Sequence, residues 1–194
     1  MNQTIQNILD RHSTRAYTND PVPEDALAAI LRAGAAAGHG IGHRTRRFTV
    51  ITAPDKLAIV NSAIRDAFRA LEPNEQMPPF IRGLIKKAKA DDKVDFIYRA
   101  PAFIIVSVNA DSVSGAIDTA LAIGNMSIAA QSLDLGSCWM NQMTTLVQTP
   151  PIVKALRELG IPDDETVYGT LAVGTPAPNA RFAPREAGEF VYLT

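Results

Sequence analysis

Arg11-His12-Ser13-Thr14-Arg15 places two guanidinium groups, an imidazole and a hydroxyl within five residues. That set suits a phosphorylated ligand, because arginine forks match phosphate oxygens and a hydroxyl adds a short bond. Composition alone reads the same residues as a solvated basic turn. Gly38 to Gly42 invites a phosphate-loop reading, but no Gly-Lys-Ser/Thr follows it. It also comes after a helical pattern and before a strand, the reverse of the dinucleotide-binding order. His39 and His43 stand four apart among glycines, share no helical face and have no evident third ligand, so zinc is not expected. Arg44, Arg46 and Arg47 form a local basic patch, either a solvated face or an anion-binding one. Cys138, beside Trp139 in an apolar run, reads as a buried small hydrophobe rather than a nucleophile. No Ser-His-Asp signature and no paired-carboxylate motif is present.

The elements that must position these residues follow from periodicity. Ile5, Ile8 and Leu9 give a first helix one apolar stripe and carry the chain into the Arg11 segment. Pro23, Glu24 and Asp25 open a second helix, with Leu27, Ile30 and Leu31 on its buried face. Phe48 to Thr52 is a strand rich in β-branched residues. Pro54 starts a third helix with Leu57, Val60, Ile64, Ala67, Phe68 and Leu71 in one stripe. Glu72 to Pro79 is loop, followed by a helical piece carrying Phe80, Ile81, Leu84 and Ile85 and then a solvated Lys86 to Lys93. Residues 72–99 are the candidate lid. Ala102 to Val108 is the most apolar strand and is expected at the centre of a sheet.

Ser114 to Leu135 reads as a helix with apolar residues on nearly every face, to be buried all round in a core or subunit interface. Asp118, Asn125 and Gln131 are then buried polar groups that need partners. Gly136 is its expected stop, and Ser137 to Met140 a brief strand leading into a loop. Pro150-Pro151 starts a short helix stopped by Gly160, and Val167 to Val173 is a third strand. The tail, 176–194, ends in Phe190-Val191-Tyr192-Leu193, which could extend a sheet edge, its own or a partner's. The class is α+β, with more helices than strands.

The 194 residues, 46% hydrophobic, suit one domain over 1–194, which buries about 70% of its unfolded surface. With 19 basic and 20 acidic residues there is no global drive towards nucleic acid or anionic membrane. The single cysteine excludes an intrachain disulfide and a cysteine-based iron–sulfur or zinc site. No run approaches the ~20 apolar residues of a membrane span. MNQTIQNILDRHS lacks a signal peptide's apolar core, so a cytoplasmic location is expected.

RHSTRAYTNDPVPEDALAAILRAGAAAG resembles the opening of the FMN-dependent nitroreductase family. IDTALAIGNMSIAAQSLDLGSCWM is similar to the family's central helix and its continuation, and LGIPDDETVYGTLAVGTPAPNARFAPRE to its closing strand, turn and tail. The three blocks lie in the family's order over most of the chain. The resemblance implies a central, mostly antiparallel sheet surrounded by helices, and an intertwined homodimer with FMN at its interface. By position, Arg11 would hold the FMN phosphate, His12 and Ser13 the ribityl chain and flavin edge, and Arg15 the pyrimidine end as charge stabiliser. Arg185 matches the tail's phosphate-side cation. Met140, Asn141 and Gln142 fall where a backbone N–H meets the flavin N5. Gly38 and Gly40 lie in the segment that the family contributes across the dimer. This chain departs there from the usual Pro-Ser-x-x-Asn-x-Gln-Pro-Trp, and carries Ala183 where a basic residue often stands.

The activity implied is transfer of a hydride from NADPH or NADH through the flavin to a nitroaromatic, quinone or similar small-molecule acceptor. A relative with other flavin chemistry (reductive dehalogenation, dehydrogenation or flavin cleavage) is the first alternative. A non-enzymatic flavin or nucleotide sensor, or a nucleic-acid binder using Arg44 to Arg47, is the second.

Overall fold

The computed structural model describes residues 1–40, 46–182 and 188–193. Ile41 to Thr45, including His43 and Arg44, and Ala183 to Ala187, including Arg185, lie outside the described residues. The helices are α1 (Gln3–Asp10), α2 (Glu24–Ala35), α3 (Pro54–Ala70), α4 (Pro79–Ala90), α5 (Gly115–Ser132), α6 (Gln142–Thr145) and α7 (Pro150–Glu158). The strands are β1 (Arg47–Ile51), β2 (Ala102–Asn109), β3 (Gly136–Met140) and β4 (Glu165–Gly174). They form one antiparallel sheet in the order β1-β2-β4-β3. The fold is α+β, as expected.

β2 is interior because both its faces are apolar. Phe103 and Ile105 point into one core with Val60, Ile64 and Phe68 of α3 and Ile152 of α7. Ala102, Ile104 and Val106 point into the other, with Ile30 of α2 and Ile123 and Met126 of α5. The period-two alternation of a strand thus feeds two helical layers. α4 packs on the first layer through Ile85 and Ala88, which are fully buried. The stretch expected to be solvated from Lys86 onwards is therefore half helix, running to Ala90 with Ala88 inward.

Within one chain α5 is buried on one face only. Gly115, Asp118, Thr119, Ala122, Ile123, Met126, Ser127 and Ala130 are buried, a regular three- and four-residue spacing that covers one face. Ile117 and Leu121 on the opposite face are 66% and 50% exposed. Asn125 is exposed as well, and its Nδ2 donates to Ala33 O at 3.1 Å. The helix ends at Ser132 rather than at Gly136. The left-handed residue that turns the chain is Asp134 (φ 57°), a type that tolerates this conformation through its short polar side chain.

Gly136 has a different task. It begins β3, and a Cβ there would stand 2.5 Å from Thr14 Oγ1 and 2.8 Å from Thr14 Cβ. Its absence lets the Arg11 segment lie directly against the sheet. Among the described residues, the tail forms no strand with its own protomer: Phe190 to Leu193 are exposed and unpaired in any sheet. No described helix is long and apolar enough to cross a membrane.

Candidate functional site

The Arg11 segment becomes an extra strand-like edge. Ser13 bridges Ser137 in parallel, and Thr14 N–H donates to Ser137 O at 2.9 Å. Further on, Thr18 N–H donates to Thr175 O, and the Tyr17 hydroxyl donates to Thr14 O at 2.8 Å. Thr14 is buried, while its neighbours Ser13 and Arg15 are half-buried and exposed. The Ser13–Ser137 bridge and the Thr14 bond dock the Arg11–Arg15 segment on the edge of β3. The "solvated turn" reading fails for this reason: a solvated turn does not pair with a sheet.

At the end of that row lies a cavity of about 360 Å³ lined by Arg15, Phe68, Phe80, Ile81, Leu84, Tyr98 and residues 138–142 with Thr145. Its walls are apolar, and its polar groups gather at the Arg15 and Asn141-Gln142 side. This is the composition of a site for a flat ring with a polar edge. α6 is built immediately after β3: Asn141 is its N-cap residue and its carbonyl accepts from Thr145 N–H at 2.8 Å. Gln142 Oε1 and Thr144 Oγ1 are buried with no hydrogen-bond partner among the described residues. Buried polar atoms ordinarily have one, and of these two residues Gln142 lines the cavity.

Two buried acids and a cation shape the local electrostatics. Burial pushes the Cys138 thiol up from its ordinary value, with Arg15 and then Arg11 pulling it back. Cys138 is buried and neutral, as its apolar neighbours suggested, yet it lines the cavity. Tyr98, which sequence reasoning missed, has its phenol raised by burial and by Cys138, and lowered by the charge and hydrogen bond of Arg15. Arg15 therefore faces the cavity mouth and touches Tyr98. No periodic signal singles out Tyr98. Its only sequence cue is the Asp95 turn before it and Pro101 after it.

The structure brings Arg15, Met140, Asn141 and Gln142 to one cavity, with Ser13 and His12 just beyond it. The His12 ring lies 4.8 Å from that of Phe182, and its Nδ1 meets Asp10 O. Arg11 caps α1, its N–H donating to Asn7 O. Gly38 and Gly40 do not line this cavity within the protomer. Gly40 N–H donates to Asp118 Oδ1 at 2.8 Å, and a Cβ at Gly40 would stand 2.6 Å from Ser114 Oγ. Asp118 also accepts from Ser114 Oγ at 2.8 Å, which answers where this buried carboxylate finds its partners.

The basic patch is taken up internally. Arg46 Nη1 donates to Gly38 O and Asp118 O at 2.8 and 2.9 Å, and its Nη2 to Ala37 O at 2.7 Å. Two of these carbonyls lie just past the end of α2, and the third ties them to the start of α5. Arg47 binds Glu165 through Nε at 3.0 Å. No cluster of three or more metal-ligating side chains occurs among the described residues.

The family model described as Nitroreductase family matches residues 8–175. The FMN reductase (NADPH) of Bacillus subtilis (strain 168) is 28% identical over 99% of this chain and 73% of the relative. The NADPH-flavin oxidoreductase of Vibrio harveyi is 23% identical over 95% of this chain and 70% of that protein. Among solved structures, a nitroreductase with bound FMN from Bacteroides fragilis NCTC 9343 superposes with a TM-score of 0.88, at 33% identity and full coverage of both chains. The edge segment on β3, the turn that follows β3 and the family match spanning both lead to one conclusion: the chain belongs to the nitroreductase family.

Proposed function

We propose that the protein is an FMN-dependent oxidoreductase that takes reducing equivalents from NADPH or NADH and passes them to a small conjugated acceptor. The single observation that carries this reading is the cavity where Arg15 meets the Asn141-Gln142 turn, alongside the Arg11 row held on β3. The apolar walls suit a flavin ring. The buried, partnerless Gln142 Oε1 suits a polar ring edge, and two arginines in one row suit a phosphate and an electron-rich pyrimidine.

Each residue has a defined part in this reading. Arg11 neutralises the phosphate, with Arg185 as a second cation, and His12 and Ser13 hold the ribityl chain. Arg15 stabilises negative charge at the pyrimidine end, as a fixed cation in a partly dry site. The backbone N–H groups of 140–142 hold the central ring edge. The flavin itself supplies the hydride-transfer chemistry; the protein orients it and excludes water. Quinones and nitroaromatics are the acceptor classes, with reductant and acceptor using the pocket in turn. Since two relatives are named for reducing flavins, free flavin belongs in the acceptor screen.

The assembly is a homodimer. The outer face of α5 exposes Ile117 and Leu121 beside Ala116, Ala120 and Gly124, next to the exposed Ile5, Ile8 and Leu9 of α1. A contiguous apolar surface of this kind marks an association site. Dimerisation would cover the outer face of α5, bring the Gly38-Gly40 segment towards the partner's cofactor and give the 176–194 tail a surface to pack on. Residues 72–99, with α4 walling the cavity through Phe80, Ile81 and Leu84, serve as the lid.

The chain's one tryptophan lines the cavity, so it reports on cofactor binding. Titrating FMN into apoprotein should quench Trp139 emission to saturation at one flavin per chain. Emission indifferent to micromolar FMN would remove the flavin from this pocket.

A further inference from the structure

Tyr98 stands out on three independent counts. It lines the cavity opposite the Asn141-Gln142 turn. It and Arg99 occupy left-handed backbone conformations, with φ of 59° and 54°, costly for side chains of this size. It shares that cavity with the Arg15 guanidinium, a fixed cation.

The strained pair is held by a local scaffold. Asp95 Oδ1 accepts from Ile97 N–H and Arg99 N–H, both at 2.9 Å. Ala100 N–H donates to Ile97 O at 3.1 Å. Phe96 and Ile97 are buried in the core with α3, and Phe96 N–H donates to the Asn61 side chain at 2.7 Å. All of this fixes the Cα–Cβ direction of Tyr98. Glycine would adopt the same backbone without strain; what it would lose is the phenol in the cavity.

We infer that Tyr98 is an acceptor-binding residue whose hydroxyl, in the cavity it shares with Arg15, donates a hydrogen bond to the carbonyl, carboxylate or nitro oxygen of an aromatic substrate. A guanidinium has only donors, so Arg15 in the same cavity cannot accept the phenol's O–H, which is left for an acceptor on the ligand. Burial keeps that phenol protonated across the neutral range, so it acts as a hydrogen-bond donor and not as a proton source. An acceptor oxygen gains negative charge as its ring is reduced, and a preorganised donor favours that change. The substrate class follows: planar aromatics bearing an oxygen acceptor, in preference to those without one.

The inference rests on the flavin reading above, and the test separates the two. Benzoate serves as probe, its carboxylate standing in for the charged acceptor oxygen, with calorimetry on the FMN-loaded protein giving its dissociation constant. Tyr98→Phe removes one oxygen and keeps the ring. It should weaken benzoate about tenfold and lower kcat/KM for 1,4-benzoquinone in parallel, with FMN affinity left within a factor of about two. Unaltered benzoate affinity in Tyr98→Phe overturns the assignment, and so does a loss of FMN affinity in step with it, which would place Tyr98 in the cofactor scaffold. Tyr98→Leu is the second variant; it should lose benzoate affinity at least as far, and retention of that affinity would equally overturn the inference. A wild-type protein that holds no FMN would instead defeat the flavin reading.

Discussion

Gly136→Ala tests whether the sheet positions the cofactor row. The new methyl group would lie 2.5 Å from Thr14 Oγ1 and 2.8 Å from its Cβ and Cγ2. Carbon contacts settle near 3.5–4.0 Å, so the segment must retreat by about 1 Å. That retreat stretches the 2.9 Å bond from Thr14 N–H to Ser137 O beyond useful length. Overpacking of this kind costs ~1–3 kcal/mol. For a chain of this size each kcal/mol moves Tm by roughly 2–4 °C, so a drop of roughly 2–12 °C is expected.

FMN affinity should fall as well, because Arg11, His12, Ser13 and Arg15 move with Thr14. The assay is thermal unfolding at fixed protein concentration beside FMN titration. Thr14→Gly removes all three clashing atoms, so Gly136→Ala should be far milder in that background. A double-mutant cycle measures the difference. Wild-type melting and wild-type FMN affinity in Gly136→Ala, or no coupling to Thr14, would refute the idea that β3 sets the site's geometry.

Three further outcomes follow from single groups. Arg11→Ala should weaken FMN roughly 10- to 150-fold, the effect of a charge-assisted bond worth about 1.5–3 kcal/mol, while riboflavin binding changes little; equal losses would move Arg11 away from the phosphate. Arg15→Gln should lower the two-electron potential by about 30 mV or more, about 1.4 kcal/mol, with an unchanged potential removing Arg15 from the flavin edge. Alkaline stability should decline because burial raises the Tyr17 phenol and the Cys138 thiol above their ordinary 10.0 and 9.0. As pH passes those values the unfolded chain loses protons that the folded one keeps, so folding weakens as pH rises and is unaffected below. Tyr17→Phe should flatten the fall in Tm between roughly pH 9 and 11, and an identical slope would show that Tyr17 ionises freely in the fold.

Much of the frame was legible because it rests on local periodicity. The apolar run Ala102 to Val108 needs both faces covered, and helices cover both. The stripes of α2 and α3 name the residues that meet it. The Arg11 segment was legible as a phosphate-type inventory, although only its register on β3 distinguishes a site from a wet turn. α5 misled because an apolar sequence states that burial is needed without stating by whom; its outer face is open in the protomer. Gly136 was taken for a helix stop, since a glycine's close approach to Thr14 depends on a residue 122 positions away. Arg46 looked like a solvated or anion-binding charge, and its carbonyl partners on α2 and α5 are set by tertiary contact. Tyr98 left no pattern at all, because a left-handed pair held by one aspartate has no repeat to read.

The central claim is that this cavity holds FMN and that nicotinamide reduces it there. The direct measurement is an anaerobic titration of the purified, flavin-loaded protein with NADPH and, separately, NADH, followed by visible absorbance. The account predicts a yellow protein bleached by one equivalent of at least one nicotinamide per flavin, with colour restored on adding 1,4-benzoquinone. A loaded protein that keeps its oxidised spectrum in excess of both reductants would contradict it.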